Sequence, residues 1–324
     1  MERDFAHVKS NHVKNAMEHP VNRRDFLKTQ VKGALWLTAA STGFWLPQKS
    51  LCTETCDIAV VKGKPVPATR AAVELLGGMN QFVKSGQKVI IKPNMSFPKG
   101  QENATNTDVF VVKEVAAMCL EAGAAKVSIL DNTLGIPQYC ITDMAKTCES
   151  LKPNMVHAVL NADLYREVKI SDSWGGFNKT DIIQEVLDAD VIIAVPKAKS
   201  HDATGVSLSM KGMMGLIYDR MVMHNYGLND AVVTLASYLK PKLVVVDATR
   251  VLSTHGPRGP GDIIAENKII ASADMVAADA MTVKQCVWYG QSMEPRQVKH
   301  IKIAHKKGVG RMDVENLNVK EITL

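Results

Sequence analysis

Residues 190–201 read DVIIAVPKAKSH, and this stretch decides the fold prediction. Its first half is a nearly continuous apolar, β-branched run, which is typical of a strand buried on both faces of a parallel sheet. After Pro196 the chain turns polar and places Lys197, Lys199 and His201 where the strand ends. If the extended conformation continues past Pro196, alternation directs these three side chains to one side.

Runs of the same kind recur along the chain from residue 57 onward. Further strands are predicted at 57–62, 88–93, 126–131, 243–247 and 268–271, and two less regular ones within 154–170. Helical patterns occupy the gaps, at 68–83, 108–122, 137–148, 179–187, 231–239, 275–289 and 296–306. This alternation predicts an α/β fold with a mainly parallel sheet covered by helices on both faces, as a single compact domain over 57–324.

The first 50 residues have the pattern of an export signal. Arg23-Arg24 is followed by Phe26-Leu27 and then by the apolar run GALWLTAASTGFWL at 33–46. This order predicts a twin-arginine signal, and therefore the twin-arginine export machinery as a partner and a periplasmic or exported location. The apolar run is shorter than the roughly 20 residues that cross a bilayer, so no stable membrane span is expected.

The net charge argues against a nucleic-acid partner. Residues 1–50 hold eight Lys or Arg against four acidic residues, so they account for +4 of the formal charge of +6. The remaining body is nearly neutral, and only 5% of all residues are aromatic. A protein that binds phosphate backbones or stacks bases is expected to be more basic and richer in aromatic side chains.

Polar residues follow four of the predicted strands, where ligands bind in open parallel sheets. Lys92 and Asn94 lie at the end of 88–93, Asp131 ends 126–131, and Asp247 ends 243–247. Together with Lys197, Lys199 and His201, they predict a site for a small anionic ligand. Lys197 or His201 is the predicted acid–base group, while Lys92 and Lys199 would bind charge. Asp131 and Asp247 would hold a divalent metal or orient a lysine.

Two glycine-rich stretches add candidates to this edge. In GVSLSMKGMMGL at 205–216, Lys211 is followed by Gly212 and Gly215, which permit a close backbone approach to a ligand. The stretch lacks the spacing of a nucleotide-binding P-loop. In THGPRGPG at 254–261, His255 and Arg258 are predicted to form a flap or anion clamp, with an ordinary surface loop as the alternative.

The six cysteines do not identify a cofactor. They lie at positions 52, 56, 119, 140, 148 and 286, with no C-x-x-C pair and no iron–sulfur spacing. An iron–sulfur cluster is therefore not expected. A divalent metal is one candidate, and the cofactor stays open. An oxidising destination would permit a Cys140–Cys148 disulfide, but the spacing does not assign it.

The ordered set of these motifs resembles the bacterial and archaeal family called domain of unknown function 362. The resemblance extends over about 57–310 and rests on Lys92-Pro93-Asn94, Thr107-Asp108, Gly123-Ala124, Asp131, the run from Pro196 to His201, the run from Ser209 to Gly215, Val246-Asp247, Gly256-Pro257 with Gly259 and Gly261, the run from Ala273 to Ala280, and Gly308-Val309-Gly310. It implies that Lys92, Asn94, Asp131, Lys197, Lys199, His201, Lys211, Asp247 and Asp279 belong to a shared pattern. Some relatives also carry a ferredoxin-like segment, whose cysteine array this sequence lacks. The family implies a fold and a residue pattern, not a reaction.

Three functions follow from these patterns. The leading hypothesis is an exported protein that binds a small anionic molecule at the carboxyl edge of the sheet, with possible metal assistance and an unknown reaction. The second is a metal- or iron–sulfur-linked redox accessory or electron-transfer protein. The third is a solute-binding protein without catalysis.

Overall fold

The structure, a computed structural model, describes residues 56–170 and 176–324. The predicted export signal lies outside these residues. The strands, in chain order, are β1 Ile58–Lys62, β2 Lys88–Pro93, β3 Lys126–Asp131, β4 Val156–Ala158, β5 Tyr165–Lys169, β6 Lys179–Ile183, β7 Val191–Val195, β8 Lys197–His201, β9 Gly205–Ser207, β10 Leu243–Leu252, β11 Ile263–Ile264, β12 Lys268–Ser272, β13 Val287–Trp288, β14 Gln291–Ser292 and β15 Val319–Thr323.

Helices connect the strands on both sides of the sheet. The α-helices of the described residues are α1 Pro65–Leu75, α2 Val109–Glu121, α3 Pro137–Cys148, α4 Gln184–Leu187, α5 Ser209–Gly212, α6 Val222–Asn225, α7 Leu228–Leu239, α8 Met275–Gln285 and α9 Lys299–Lys306. Helices α1 and α3 begin with a proline, which lacks the N–H group that would have no partner there. Asp108 and Asp274 precede α2 and α8, and their side chains accept hydrogen bonds from the first backbone N–H groups.

The main sheet has the strand order β15-β1-β12-β10-β7-β2-β3-β4. Strands β10, β7, β2, β3 and β4 are parallel neighbours, and β12 runs antiparallel to both β10 and β1. The chain builds β2, β3 and β4 in one direction and then returns to place β7 and β10 on the other side of β2. The boundary between β2 and β7 is therefore a topological switch point, where a crevice opens at the carboxyl edge.

The sheet is buried on both faces, as the continuous apolar runs predict. Val89 and Ile91 of β2 pack in a core with α1, α2 and α3, whereas Ile90 packs in a second core with α7, α8 and α9. Both cores are built from alternating residues of the same strands. The predicted α/β fold, with a mainly parallel sheet between helices in one compact domain, is confirmed for the described residues.

Several element boundaries differ from the sequence prediction. The predicted strands at 88–93 and 126–131 coincide with β2 and β3, and 154–170 holds β4 and β5. The predicted helix over 179–187 is wrong in its first half, because 179–183 forms β6 and pairs antiparallel with β5. The β-branched run is too short for its period to separate strand from helix, so the non-local pairing decides.

Two other features of the described residues bear on the predictions. No helix in 56–170 or 176–324 combines the length and apolar character needed to cross a membrane. The cysteines at 56, 119, 140, 148 and 286 are buried free thiols, so the Cys140–Cys148 disulfide is not formed.

Candidate functional site

The ends of β2 and β7 are joined by side chains at the switch point. Asn94 Oδ1 accepts a hydrogen bond of 2.8 Å from the Lys197 backbone N–H. The Thr107 hydroxyl accepts from the Asn94 N–H at 2.8 Å and donates to the Val195 carbonyl at 2.8 Å. These bonds hold the two strand ends in a fixed relation, so that the groups following them line one crevice.

A cavity of about 260 Å³ lies at this edge, and we call it the carboxyl-edge pocket. Its lining is dominated by basic groups. The ionisable residues that line it are Lys92, Lys199, Lys211, Arg220, Arg258, His201, His224 and Asp131. Five permanently or potentially cationic Lys and Arg side chains thus face a single carboxylate among the described residues.

A second cavity, of about 370 Å³, lies at the opposite edge, beside the amino ends of β2 and β3. It is larger, but its charges are matched. Glu185 lies 2.8 Å from the Lys126 ammonium and accepts a hydrogen bond from the Ser128 hydroxyl at 2.5 Å. Excess positive charge therefore distinguishes the carboxyl-edge pocket from this second cavity, although the carboxyl-edge pocket is the smaller of the two.

The wall of the carboxyl-edge pocket contains a buried Lys92–Asp131 ion pair. The Lys92 ammonium lies 3.1 Å from Asp131 Oδ1, and both side chains are about 1% exposed. Asp131 Oδ2 accepts hydrogen bonds from the Met95 N–H and the Ser96 hydroxyl, whereas Oδ1 has no hydrogen-bond partner among the described residues. Arg220 Nη2 is 3.9 Å from Oδ1 and also has no such partner. Burial lowers the pKa of Lys92, and Asp131 opposes this shift.

Gly215 packs directly on this pair. A Cβ atom at position 215 would lie 2.0 Å from Asp131 Oδ1 and 2.5 Å from Lys92 Cε. The Gly215 carbonyl also accepts a hydrogen bond of 2.8 Å from the Asn132 N–H. The close approach at Gly215 is to these two side chains, whereas a Cβ at Gly212 would meet open space. The predicted approach of both glycines to a ligand stays a prediction.

A second buried pair, Lys197–Asp247, lies outside the carboxyl-edge pocket. The Lys197 ammonium is 2.9 Å from Asp247 Oδ2, which also accepts from the Asp108 N–H at 2.7 Å. Asp247 Oδ1 accepts from the Thr249 N–H and hydroxyl, at 3.0 and 2.6 Å. Burial alone would raise the pKa of the Asp247 carboxyl, but Lys197 and these hydrogen bonds outweigh it and lower the pKa. Both carboxylate oxygens are therefore satisfied.

Lys199, two residues further along β8, is buried in the pocket wall without a carboxylate. Its ammonium donates to the Thr105 carbonyl at 2.7 Å and lies 5.3 Å from the centre of the Phe97 ring. Burial lowers the pKa of Lys199 to about 7; Asp131 opposes the shift, while the ammonium groups nearby add to it. The register between β8 and β10 is irregular between Asp247 and Leu252, and this separates Lys199 from Lys197.

Lys211 and His201 complete the basic lining. Burial, with Arg220 nearby, lowers the pKa of Lys211 to about 8. Burial, with Lys211 nearby, lowers the pKa of His201 to about 4, so its imidazole is neutral at neutral pH. A neutral imidazole accepts or donates a hydrogen bond without adding charge.

The short helix that carries Lys211 is fixed by Asp279 of α8. The buried Asp279 carboxylate accepts hydrogen bonds from the Ser209 and Met210 N–H groups, at 2.8 and 3.0 Å. These are the first donors of α5, which have no partner within the helix. Burial raises the pKa of Asp279 to about 7, against the effect of these bonds. Asp279 thus positions the backbone from which Lys211 extends.

The glycine- and proline-rich loop at 254–261 lies against the end of β8. The Gly256 N–H donates to the Ser200 hydroxyl at 2.9 Å, and a Cβ at Gly256 would lie 1.9 Å from the Ser200 carbonyl oxygen. Pro257 and Arg258 line the pocket. His255 is exposed and contacts the Thr254 hydroxyl at 3.2 Å, outside the pocket lining.

The structure brings most of the predicted site residues together. Seven of them line the carboxyl-edge pocket: Lys92, Asn94, Asp131, Lys199, His201, Lys211 and Arg258. Lys197, Asp247 and His255 do not line it. Within the described residues, no group of three or more His, Cys, Asp or Glu side chains is placed to hold a metal ion. The metal-binding roles of Asp131 and Asp247, and the acid–base roles of Lys197 and His201, stay predictions.

Sequence reasoning missed several residues of the pocket. They are Ser96, Phe97, Leu134, Ser207, Met214, Arg220, Met221, His224 and Pro257. Arg220 lies in the connection after the glycine-rich stretch, far from any predicted strand end.

Comparison with known proteins identifies the family. The family model described as "Domain of unknown function (DUF362)" matches residues 89–284, which is more than half of the chain. The chain belongs to this family. The matched region of this DUF362 protein contains Lys92, Asp131, Lys199 and Lys211, so the pocket lies largely within the family domain.

Two known proteins show the range of likeness. A thylakoid-associated protein of Synechocystis sp. is 28% identical over 227 residues, which cover 67% of this chain and 68% of that protein. The apoprotein of lactate racemase from Thermoanaerobacterium thermosaccharolyticum aligns with a TM-score of 0.41 and 16% identity, over 69% of this chain and 56% of the racemase chain. This chain thus spans little more than half of the racemase, and a likeness at this level supports no conclusion about the site.

Proposed function

We propose that this DUF362 protein binds a small anionic molecule in the carboxyl-edge pocket. One observation carries the proposal: Lys199, Lys211 and Arg258 line the pocket, and in the described residues none of the three has a carboxylate partner. The cost of an unpaired charge applies to the buried Lys199 and, less strongly, to the half-buried Lys211, because Arg258 is exposed. The folded state either neutralises a buried ammonium or pairs it with an anion. A bound carboxylate or phosphate would supply the missing negative charge.

The cavity limits the size of this ligand. A volume of about 260 Å³ lies slightly below the usual range for small-molecule sites. Phe97, Leu134 and Met214 line part of the wall, so the ligand would place an apolar portion there and its charge against the basic groups. The neutral His201 would act as the acid–base group if the bound molecule reacts.

Calorimetric titration with inorganic phosphate and, separately, with propionate tests this proposal. We expect Lys211→Met to weaken binding of the anion that binds wild type about tenfold or more, since one charge-assisted contact contributes roughly 1.5–3 kcal/mol. Lys302→Met is the matched control. Lys302 is exposed on α9, so this substitution removes the same charge at a site away from the pocket. Equal affinities of the two variants, or no binding of either anion to wild type, would contradict the proposal.

The other two functions derived from the sequence stay predictions, and each has a direct test. Metal content and the visible absorption spectrum of protein purified from its native host test the redox accessory role. A turnover assay on any anion that binds separates an enzyme from a solute-binding protein, because the latter returns the anion unchanged.

We further propose that residues 1–50 direct export by the twin-arginine route. Arg23-Arg24, Phe26-Leu27 and the apolar run at 33–46 support this. The double variant Arg23→Lys, Arg24→Lys should retain the full-length protein in the cytoplasm of its host, while Lys14→Arg should be exported like wild type. Unchanged fractionation of the double variant would overturn the proposal.

A further inference from the structure

Lys199 and Lys197 lie two residues apart on one strand and are both almost fully buried, at 3% and 1% exposure. Lys197 is neutralised by Asp247 at 2.9 Å. Lys199 instead contacts the Thr105 carbonyl and the face of Phe97, neither of which carries a formal charge. Burial without a neighbouring carboxylate therefore favours the uncharged amine at Lys199.

The surroundings of Lys199 strengthen this difference. Lys92, Lys211 and Arg258 line the same pocket, and the lysine ammonium groups disfavour a further positive charge on Lys199. The pKa of Lys199 falls to about 7, chiefly through burial. A substantial fraction of the side chain is then a neutral amine at neutral pH, with a free lone pair. Desolvation and a neighbouring cation are the two known means by which a lysine becomes a nucleophile.

Two cations of the pocket would hold the charged end of an anion. Lys211 and Arg258 have no carboxylate partner in the described part of the chain, and they line the same cavity as Lys199. Thr105 accepts one amine hydrogen and so fixes the direction of the nitrogen. This juxtaposition suits a molecule that has both an anionic group and an electrophilic carbon.

We propose that Lys199 forms an imine with a small anionic aldehyde or ketone held in the carboxyl-edge pocket. The inference rests on the proposed anion-binding function and names the chemical class of its ligand. The nitrogen lone pair attacks the carbonyl carbon to give a carbinolamine. The carbon–oxygen bond then breaks, and the former carbonyl oxygen leaves as water with the two amine hydrogens. One carbon–nitrogen double bond replaces one carbon–oxygen double bond, and no oxidant or reductant is needed.

Reductive trapping tests the proposal on the purified full chain. The protein is incubated with sodium cyanoborohydride and either pyruvate, which carries a carboxylate, or dihydroxyacetone phosphate, which carries a phosphate. We expect a single adduct on the peptide that contains Lys199, with the mass of the probe acid less one oxygen atom. Labelling by pyruvate alone identifies a carboxylate ligand, and labelling by dihydroxyacetone phosphate alone identifies a phosphate ligand; both results support the imine.

Two controls make the assignment specific. Lys199→Arg keeps the positive charge but has no primary amine, so its adduct should be absent. In wild type, the equally buried Lys197 serves as an internal control that should stay unlabelled. This internal control keeps the test valid if Lys199→Arg fails to fold.

The failures of the two proposals are distinguishable. If phosphate or propionate binds but neither carbonyl probe labels Lys199, the imine proposal is overturned and anion binding stands. Preferential labelling of Lys211 or of exposed lysines overturns it as well. If neither phosphate nor propionate binds wild-type protein and no adduct forms, both proposals fail together.

Discussion

The two buried lysine–aspartate pairs have similar chemistry but different surroundings. The Lys197–Asp247 pair is fully hydrogen-bonded, and we call it the closed pair. Both oxygens of its carboxylate accept hydrogen bonds, from Asp108, Thr249 and Lys197 itself. Lys92–Asp131 forms part of a pocket wall, and Asp131 Oδ1 has an ion pair but no hydrogen-bond partner in the described residues. A fully satisfied pair supports the fold, whereas an incompletely satisfied one among excess cations can respond to a ligand.

The comparison predicts the largest stability loss at the closed pair. Lys197→Met would leave the Asp247 carboxylate buried without its cation, and we expect unfolding free energy to fall by about 3–5 kcal/mol. Urea denaturation at pH 7 measures the change. Adding Asp247→Asn should recover part of the loss, since the remaining amide oxygen still accepts hydrogen bonds. A loss below about 1 kcal/mol in the single variant would show that the pair is not a structural one.

The packing of the pocket pair can be disturbed by a single methyl group. Gly215→Ala places a Cβ against Asp131 Oδ1 and Lys92, and we expect a loss of roughly 1–3 kcal/mol in unfolding free energy. Gly212→Ala is the matched control, because its Cβ meets nothing within 4 Å and the residue is helical. The control should be neutral or more stable by up to about 1 kcal/mol. Equal effects of the two substitutions, measured by urea denaturation, would contradict the described packing.

The unpaired Lys199 predicts a specific pH dependence. Its pKa is about 7 in the folded protein and 10.5 ordinarily, so between these values the unfolded chain binds more protons. Stability should therefore rise with pH across this window, by roughly 1–3 kcal/mol between pH 7 and 9 from the buried lysines together. Lys199→Met should reduce this rise, while Lys302→Met should leave it unchanged. Urea denaturation at pH 7 and pH 9 measures the rise in unfolding free energy. An identical rise in wild type and in Lys199→Met would contradict the lowered pKa of Lys199.

The smallest predicted effect is a difference in anion affinity between substitutions in the two lysine–aspartate pairs. Asp131→Asn removes the one carboxylate among the described residues of the pocket lining and should tighten anion binding severalfold, because less repulsion opposes the ligand. Asp247 lies outside the pocket, so Asp247→Asn should leave the anion affinity of the folded protein unchanged. Calorimetric titration with the anion that binds wild type measures both. Weaker binding by Asp131→Asn would indicate that this carboxylate itself holds the ligand.

The sequence predicted the strands and the edge better than the fine geometry of the site. Strands such as β2 and β3 are continuous apolar runs that only a doubly covered sheet buries, so their bounds could be read directly. Parallel strands then deliver Lys92, Asp131 and Lys199 to a common edge. What could not be read is which lysine meets which aspartate, because this depends on distances across neighbouring strands.

Lys197 and Arg220 illustrate the two reasons for this limit. Period-two alternation directs Lys197 and Lys199 to one side of the strand. Because the β8–β10 register is irregular, Lys197 instead pairs with Asp247, while Lys199 lies in the pocket wall. Arg220 reaches the pocket from a connection with no regular pattern. Local periodicity contains no information about either contact, since both are fixed by the tertiary fold.

The position of a bound anion tests the central claim most directly. Crystals of the protein are soaked in selenate or in a heavy-atom analogue of the anion that binds in solution. The anomalous signal of the heavy atom then locates the bound anion. We predict the strongest peak in the carboxyl-edge pocket, within contact of Lys199, Lys211 or Arg258. Peaks confined to other surfaces, with the pocket occupied only by water at a saturating concentration, would contradict the account.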